Sequence, residues 1–255
     1  MLANYHTHTV RCHHAFGSER EYIETAIKSG KKVLGFSDHS PQFFESGYVS
    51  PMRMTPDVAE EYVAAIKKLA EEYKNDIKIY VGFEAEYFPA IFNKLQKFCR
   101  EFDVDYLILG QHYIENEDKG IYVGSRTNSK YVLSQYVDEV INGIETGSFS
   151  YIAHPDVCNF CGDEAFYKSE MTKLCNAAKK NDIPLEINML GLEGGRHYPS
   201  SRFSKIAAAT GNKTVIGCDA HTPEMLNNKK LYERALDFAK VLNLNVQDYV
   251  DLKRI

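Results

Sequence analysis

KKVLGFSDH, residues 31 to 39, is a short apolar run that ends in an acid and a histidine. It follows SEREYIETAIKSG, where Ser18 and Glu21 fit a helix-capping box and Gly30 fits a helix stop. It precedes TPDVAEEYVAAIKKLAEEY, with Thr55 as N-cap and Pro56 at the first helical position. There Val58, Tyr62, Ile66, Leu69 and Tyr73 recur at helical spacing. Residues 31–39 therefore read as a strand between two helices.

The same unit repeats along the chain. ANYHTHT (3–9), IKIYVGFEAEY (77–87), DYLILGQHY (105–113), YIAHP (151–155), PLEINML (184–190) and KTVIGCDAH (213–221) are all extended runs, most with ionisable residues at the end. Helical stretches separate them, with a Gly-rich loop preceding the helix SRFSKIAAATG after PLEINML, giving roughly seven βα units. Alternating units with apolar strands imply a parallel sheet. Seven of them in one domain over residues 1–255 favour a closed or nearly closed barrel over a doubly wound sheet. In such a barrel the carboxyl ends of the strands share one face, and that face carries active sites. His6, His8, Asp38, His39, Glu84, Glu86, His112, His154, Asp219 and His221 are all strand-end residues and should converge there.

Composition narrows the partners. The chain has 255 residues, 44% of them hydrophobic, and a net charge of −5. That balance does not favour nucleic acid as a partner. MLANYHTH has no basic stretch leading into an apolar one, so no signal peptide is expected. No apolar run is long enough to span a membrane. Six scattered cysteines suit reduced cytosolic thiols, and a cytoplasmic location is expected. Cys158 and Cys161 form a single CxxC without a second pair, so they read as plain thiols. Cys12, inside the His-rich opening, either touches the site or packs structurally.

His6 and His8 lie at alternate positions, on one side of an extended chain. A lone strand-end histidine is usually structural, but buried imidazoles need partners, and this many beside Glu84 and Asp219 would make a poor core. A metal centre satisfies them together. Imidazole with carboxylate suits Zn, Mn or Fe rather than Ca. The donors are too many for one ion, so two or three divalent ions are expected, with Glu84 and Asp219 able to bridge. Such centres lower the pKa of bound water and supply hydroxide at neutral pH. In GLEGGRHYPS the glycines let backbone approach a ligand, and Arg196 and His197 follow, Arg196 being suited to phosphate.

HTHTVRCHH, FSDH, GFEAEY, GQHY, AHPD and GCDAH, in this order between residues 6 and 221, resemble the polymerase and histidinol phosphatase (PHP) superfamily. The resemblance implies an α/β fold, a distorted (βα)7 TIM-like barrel, with a trinuclear metal site. The HTHTxxCxH opening, EIN near residue 186 and RHYPS after a Gly-rich loop look most like the monofunctional histidinol-phosphate phosphatases. Members of that group hydrolyse L-histidinol phosphate to L-histidinol and phosphate in histidine biosynthesis. Carried over by motif, His6, His8, Glu84 and Asp219 hold one metal. Glu84 bridges to a second, completed by His112 and His154. His14, His39 and His221 hold the third, with His13 as the fallback for His14.

The mechanism this implies is attack on phosphorus by a metal-bridging hydroxide held by Glu84, Asp219 and His8. Arg196 adds donors to the phosphoryl group, and His197 or water supplies the leaving-group proton. The expected partner is a small phosphate ester, with no nucleic acid and no membrane; the sequence leaves the oligomeric state open. Two other readings stand beside it. One is a phosphoesterase on the same scaffold acting on another small ester or on phosphotyrosine. The other is a non-catalytic metal-binding regulatory module, which would be expected to have lost ligands.

Overall fold

The computed structural model describes residues 1–255. Eight parallel strands form one sheet: β1 (Ala3–Asn4), β2 (Val33–His39), β3 (Lys78–Ala85), β4 (Tyr106–Leu109), β7 (Phe149–Ile152), β8 (Leu185–Asn188), β9 (Lys213–Gly217) and β10 (Asn245–Gln247), in that spatial order. Between β4 and β7 the chain makes a separate antiparallel hairpin, β5 (Tyr113–Ile114) and β6 (Ile121–Tyr122).

The sheet curls so that the segment after β1 meets the segment after β9. The amide of His8 donates to Ala220 O at 2.9 Å, and that of Ala220 donates to His6 O at 3.1 Å, so Thr7 and Ala220 bridge in parallel. Closure therefore joins the segment after β1 to the segment after β9. At the other end of β9, β10 takes the free edge, pairing Asn245 with Lys213. The seven expected barrel strands are present, and β10 is an additional eighth that the apolar pattern did not indicate.

The helices α1 (Glu19–Lys28), α2 (Pro56–Glu72), α3 (Phe92–Glu101), α4 (Lys130–Glu145), α5 (Glu164–Lys180), α7 (Ser201–Thr210) and α8 (Lys229–Val241) follow the barrel strands, and a short α6 (Met189–Glu193) follows β8 directly. The Ser18–Glu21 capping box forms as read from the sequence, whereas Thr55 caps α2 without a side-chain bond. α6 replaces the start of the expected Gly-rich loop; Asn188 Oδ1 accepts from the Gly191 amide at 2.8 Å and caps it.

Alternation along each strand divides two cores. Outward residues such as Ile79, Val81, Phe83, Leu107, Leu109, Ile187 and Ile216 pack under the helices. Inward residues Tyr5, Tyr106, Ile108, Tyr151 and Val215 fill the barrel, with Val250 from the C-terminal segment beneath them. The Tyr106 hydroxyl donates to Tyr5 O at 2.7 Å. This tyrosine-rich plug floors the barrel, and the next inward positions of the strands are the ionisable ones.

Candidate metal centre

The inward register of β3 continues from Gly82 to Glu84 and Glu86, that of β4 to Gly110 and His112, that of β8 to Glu186 and Asn188, and that of β9 to Gly217, Asp219 and His221. His6 and His8 come in from the seam, His39 from the end of β2 and His154 from the end of β7. Glu84 sits at the middle. His154 Nε2 lies 2.7 Å from its Oε1 and His112 Nε2 3.6 Å. His39 Nδ1, His8 Nε2 and His6 Nε2 lie 3.1, 3.5 and 3.6 Å from its Oε2. Asp219 Oδ1 faces His8 Nε2 at 3.3 Å and His6 Nε2 at 3.5 Å. The His221 ring stacks 4.2 Å from that of His8, and His14 stacks 4.8 Å from His221. All nine expected donors are thus brought together. His13 takes a left-handed conformation (φ 66°), and it is the His14 ring that joins the cluster.

Behind the imidazoles stand carboxylates that the motif reading left without a role. Glu186 Oε1 lies 2.8 Å from His6 Nδ1, Asp38 Oδ1 3.4 Å from His8 Nδ1 and Glu86 Oε1 3.0 Å from His112 Nδ1. Each occupies one ring nitrogen and leaves the other facing the centre, the arrangement that orients histidine ligands. Buried Arg53 bonds Glu86 and Glu117 and so ties the loop after β2 to the loop of the β5–β6 hairpin. Asn188 Nδ2 donates to Glu186 Oε2 at 2.9 Å and to Asp219 Oδ2 at 3.1 Å, which turns Asp219 Oδ1 toward the histidines. Acids at strand ends were the available signal for these residues; which of them faces a ring was not readable.

His154 (φ 29°) and Asp219 (φ 50°) hold left-handed backbone conformations, which cost about 1–3 kcal/mol each. Neighbours hold them: Glu186 Oε2 accepts from the His154 amide at 2.9 Å, and Asn188 fixes Asp219.

Burial opposes the charge on Glu84 and Asp219, yet the imidazoles beside them favour the ionised form of both. His112, His6 and His39 overcome burial to hold Glu84 well below the usual carboxylate range. His6, His8 and His221 do the same for Asp219. Burial also disfavours protonated His6, but Glu186, Asp219 and Glu84 raise its pKa well above normal; Asp219 and Asp38 do so for His8. Burial wins at His39 and His221, lowered to about 4 and about 3.

His6 Nε2, His8 Nε2 and His39 Nδ1 are buried without any hydrogen-bond partner. Such orphaned atoms are rare, and divalent cations would satisfy all three. The donors form overlapping groups that fit a metal: His6, His8 and Asp219; His6, Glu84 and His154; His8, His39 and Glu84. The residues present fit a centre of more than one ion.

Residues 4–189 match the PHP domain family. The chain belongs to the PHP domain family. Among curated relatives of this PHP protein, a "Probable histidinol-phosphatase" of Deinococcus radiodurans is 28% identical over 236 residues, covering 87% of each chain. A "Probable phosphatase" of Shewanella sediminis is 25% identical over 226 residues, covering 86% of this chain and 78% of its own. The structure of histidinol phosphate phosphatase from Lactococcus lactis, complexed with Zn, L-histidinol and phosphate, superposes with a TM-score of 0.73. It shares 18% identity, covers 96% of this chain and 94% of its own, and establishes the barrel as the fold.

A cavity of about 500 Å³ opens over the centre of this PHP chain. Arg196, Tyr198, Leu190, Met52, Tyr113 and Tyr122 line its walls. Arg196 Nη1 donates to the Tyr198 hydroxyl at 2.6 Å. His197 does not reach this cavity. Successive residues point to opposite sides here: its Nε2 lies 2.7 Å from Val157 O, and it lines a separate cavity with Asp156 and Arg202. No helix is long and apolar enough to cross a membrane.

Proposed function

We propose that this chain is a metal-dependent phosphomonoesterase that hydrolyses L-histidinol phosphate to L-histidinol and phosphate. The observation that carries this reading is the nine-donor cluster at the base of a cavity with an arginine on its wall. His6, His8, Glu84 and Asp219 are assigned to one ion, Glu84, His112 and His154 to a second, and His14, His39 and His221 to a third, with Zn, Mn or Fe as the occupants. Bound there, divalent ions supply Lewis-acid neutralisation of phosphoryl oxygens and a water acidic enough to be a nucleophile near neutral pH.

The protein's own groups do the rest. Arg196, held by the Tyr198 hydroxyl, presents its planar donors to phosphoryl oxygens. Glu186, Asp38 and Glu86 fix the ring orientation of His6, His8 and His112, so the centre is ordered before substrate arrives. Met52, Tyr113, Tyr122 and Leu190 enclose the organic part of the ester. Of the two candidates for the leaving-group proton, His197 lies outside the cavity and is not assigned the transfer, which leaves water. The likeness in sequence to a "Probable histidinol-phosphatase" supports this choice of ester.

The test is phosphate release from a panel of monoesters, with Zn or Mn added and with chelator. Selective turnover of L-histidinol phosphate, abolished by chelator, is expected. Metal-dependent turnover of other esters alone would overturn the substrate and keep the chemistry. Bound metal with no turnover of any ester would overturn both.

A further inference from the structure

Cys12 is wholly buried at the end of the short helical turn Val10–Cys12. Its sulfur does not face the apolar core. Cys12 Sγ and one ring nitrogen each of His8 and His221 lie within 4.8 Å of one another. Of the six cysteines it alone joins such a group; Cys99, Cys158, Cys175 and Cys218 pack in the core, and Cys161 is exposed. The turn that carries Cys12 is firmly placed. Its N-cap Thr9 is held by Asp38, the acid that also backs His8, and the Cys12 carbonyl lies 2.6 Å from His14 Nδ1. His39 Nδ1, 4% exposed with its residue and a donor assigned to the same ion as His221, has no hydrogen-bond partner.

In a tetrahedral zinc site sulfur sits at about 2.3 Å from the ion and imidazole nitrogen at about 2.0–2.1 Å. Donors to one such ion are therefore on the order of 3.5 Å apart. The Cys12 and His221 donors are near enough to reach that spacing by small side-chain rotations.

We propose that Cys12 is a thiolate ligand of the ion assigned to His14, His39 and His221, bound beside His221. This rests on the metal reading above. On binding, the sulfur–hydrogen bond breaks, the proton leaves to solvent and the electron pair goes to the ion. A soft sulfur donor among imidazoles selects zinc over manganese at that position.

The test uses the full chain carrying Cys161→Ser, stripped with chelator and reloaded with Co(II). Bound cobalt reports itself by visible ligand-field bands. A thiolate ligand adds an intense near-ultraviolet sulfur-to-cobalt charge-transfer band. That band is expected, and expected to vanish on adding Cys12→Ser while the ligand-field bands of the remaining cobalt persist. Ligand-field bands without charge transfer would overturn the assignment of Cys12 and leave the metal centre standing, as would a charge-transfer band that survives Cys12→Ser. No cobalt uptake would overturn both. Should Cys12→Ser fail to fold, zinc X-ray absorption on the Cys161→Ser protein decides: a sulfur shell at about 2.3 Å supports the ligand, and a purely nitrogen and oxygen shell overturns it.

Discussion

The Glu84 carboxylate lies across the backbone of Gly110, in space that a β-carbon at Gly110 would occupy. Glu84 and Ile108 are parallel partners, so Gly110 is the next inward residue of the neighbouring strand. Gly110→Ala should push Glu84 off the centre. We expect metal affinity or turnover to fall by roughly 10–100-fold, the usual cost of disturbing what orients a ligand. Metal analysis of the purified protein, with circular dichroism as the fold control, checks this; full metal content with normal turnover contradicts it.

Glu186 reaches His6, the His154 amide and Asn188 at once. Glu186→Gln keeps the shape and removes the charge that favours one His6 tautomer. Metal affinity should drop by about 10–100-fold. A competition titration against a chromophoric chelator measures it, and an unchanged affinity would remove Glu186 from this role.

Arg196 and His197 are adjacent, yet only Arg196 lines the cavity over the centre. Arg196→Ala should lower kcat/KM by about 10²–10³-fold, as loss of a donor to developing charge does. Arg196→Lys should recover only part, because the planar fork is lost. His197→Ala should stay near the parent rate. Steady-state kinetics on the three variants tests the pair, and a reversed order refutes the placement.

Metal uptake should release protons. Glu186, Asp219 and Glu84 outweigh burial to raise His6, and carboxylates likewise raise His8 and His112, so the metal-free protein holds these rings protonated where a metal requires them neutral. For the metal-free fold, raised histidine pKa values give stability present below the unfolded value and lost as pH climbs through the folded one. His39 and His221, lowered to about 4 and about 3 mainly by burial, act oppositely: stability rises with pH up to the unfolded value. The imidazoles together place a stability maximum of the chelated protein near pH 6.5, about the unperturbed histidine value. Thermal melts across pH with chelator check this, and calorimetry in buffers of different ionisation enthalpy counts the protons.

The barrel and the convergence of the expected donors were legible because both follow simple periods. Inward and outward residues alternate along IKIYVGFEAEY, and strand ends converge whatever lies between them. The backing acids were harder. Asp38, Glu86 and Glu186 look no different in sequence from Glu84, and only the three-dimensional register shows that Glu84 sits at the middle of the cluster while the others back single rings. The β5–β6 hairpin and β10 are two and three residues long, too short for a pattern. Arg196 and His197 show the same limit, since a loop has no period to assign its sides.

The seam that closes the barrel has a consequence for the timing of synthesis. Asn4 accepts from the Cys218 amide across 214 positions of chain, beside the Thr7–Ala220 bridge. His6 and His8 leave the ribosome early, and Asp219 and His221 only near the end. A nascent or interrupted chain holds half a metal grip and cannot close it. The cluster is thus a checkpoint of completeness: its donors come together only when the last barrel strand has docked against the first.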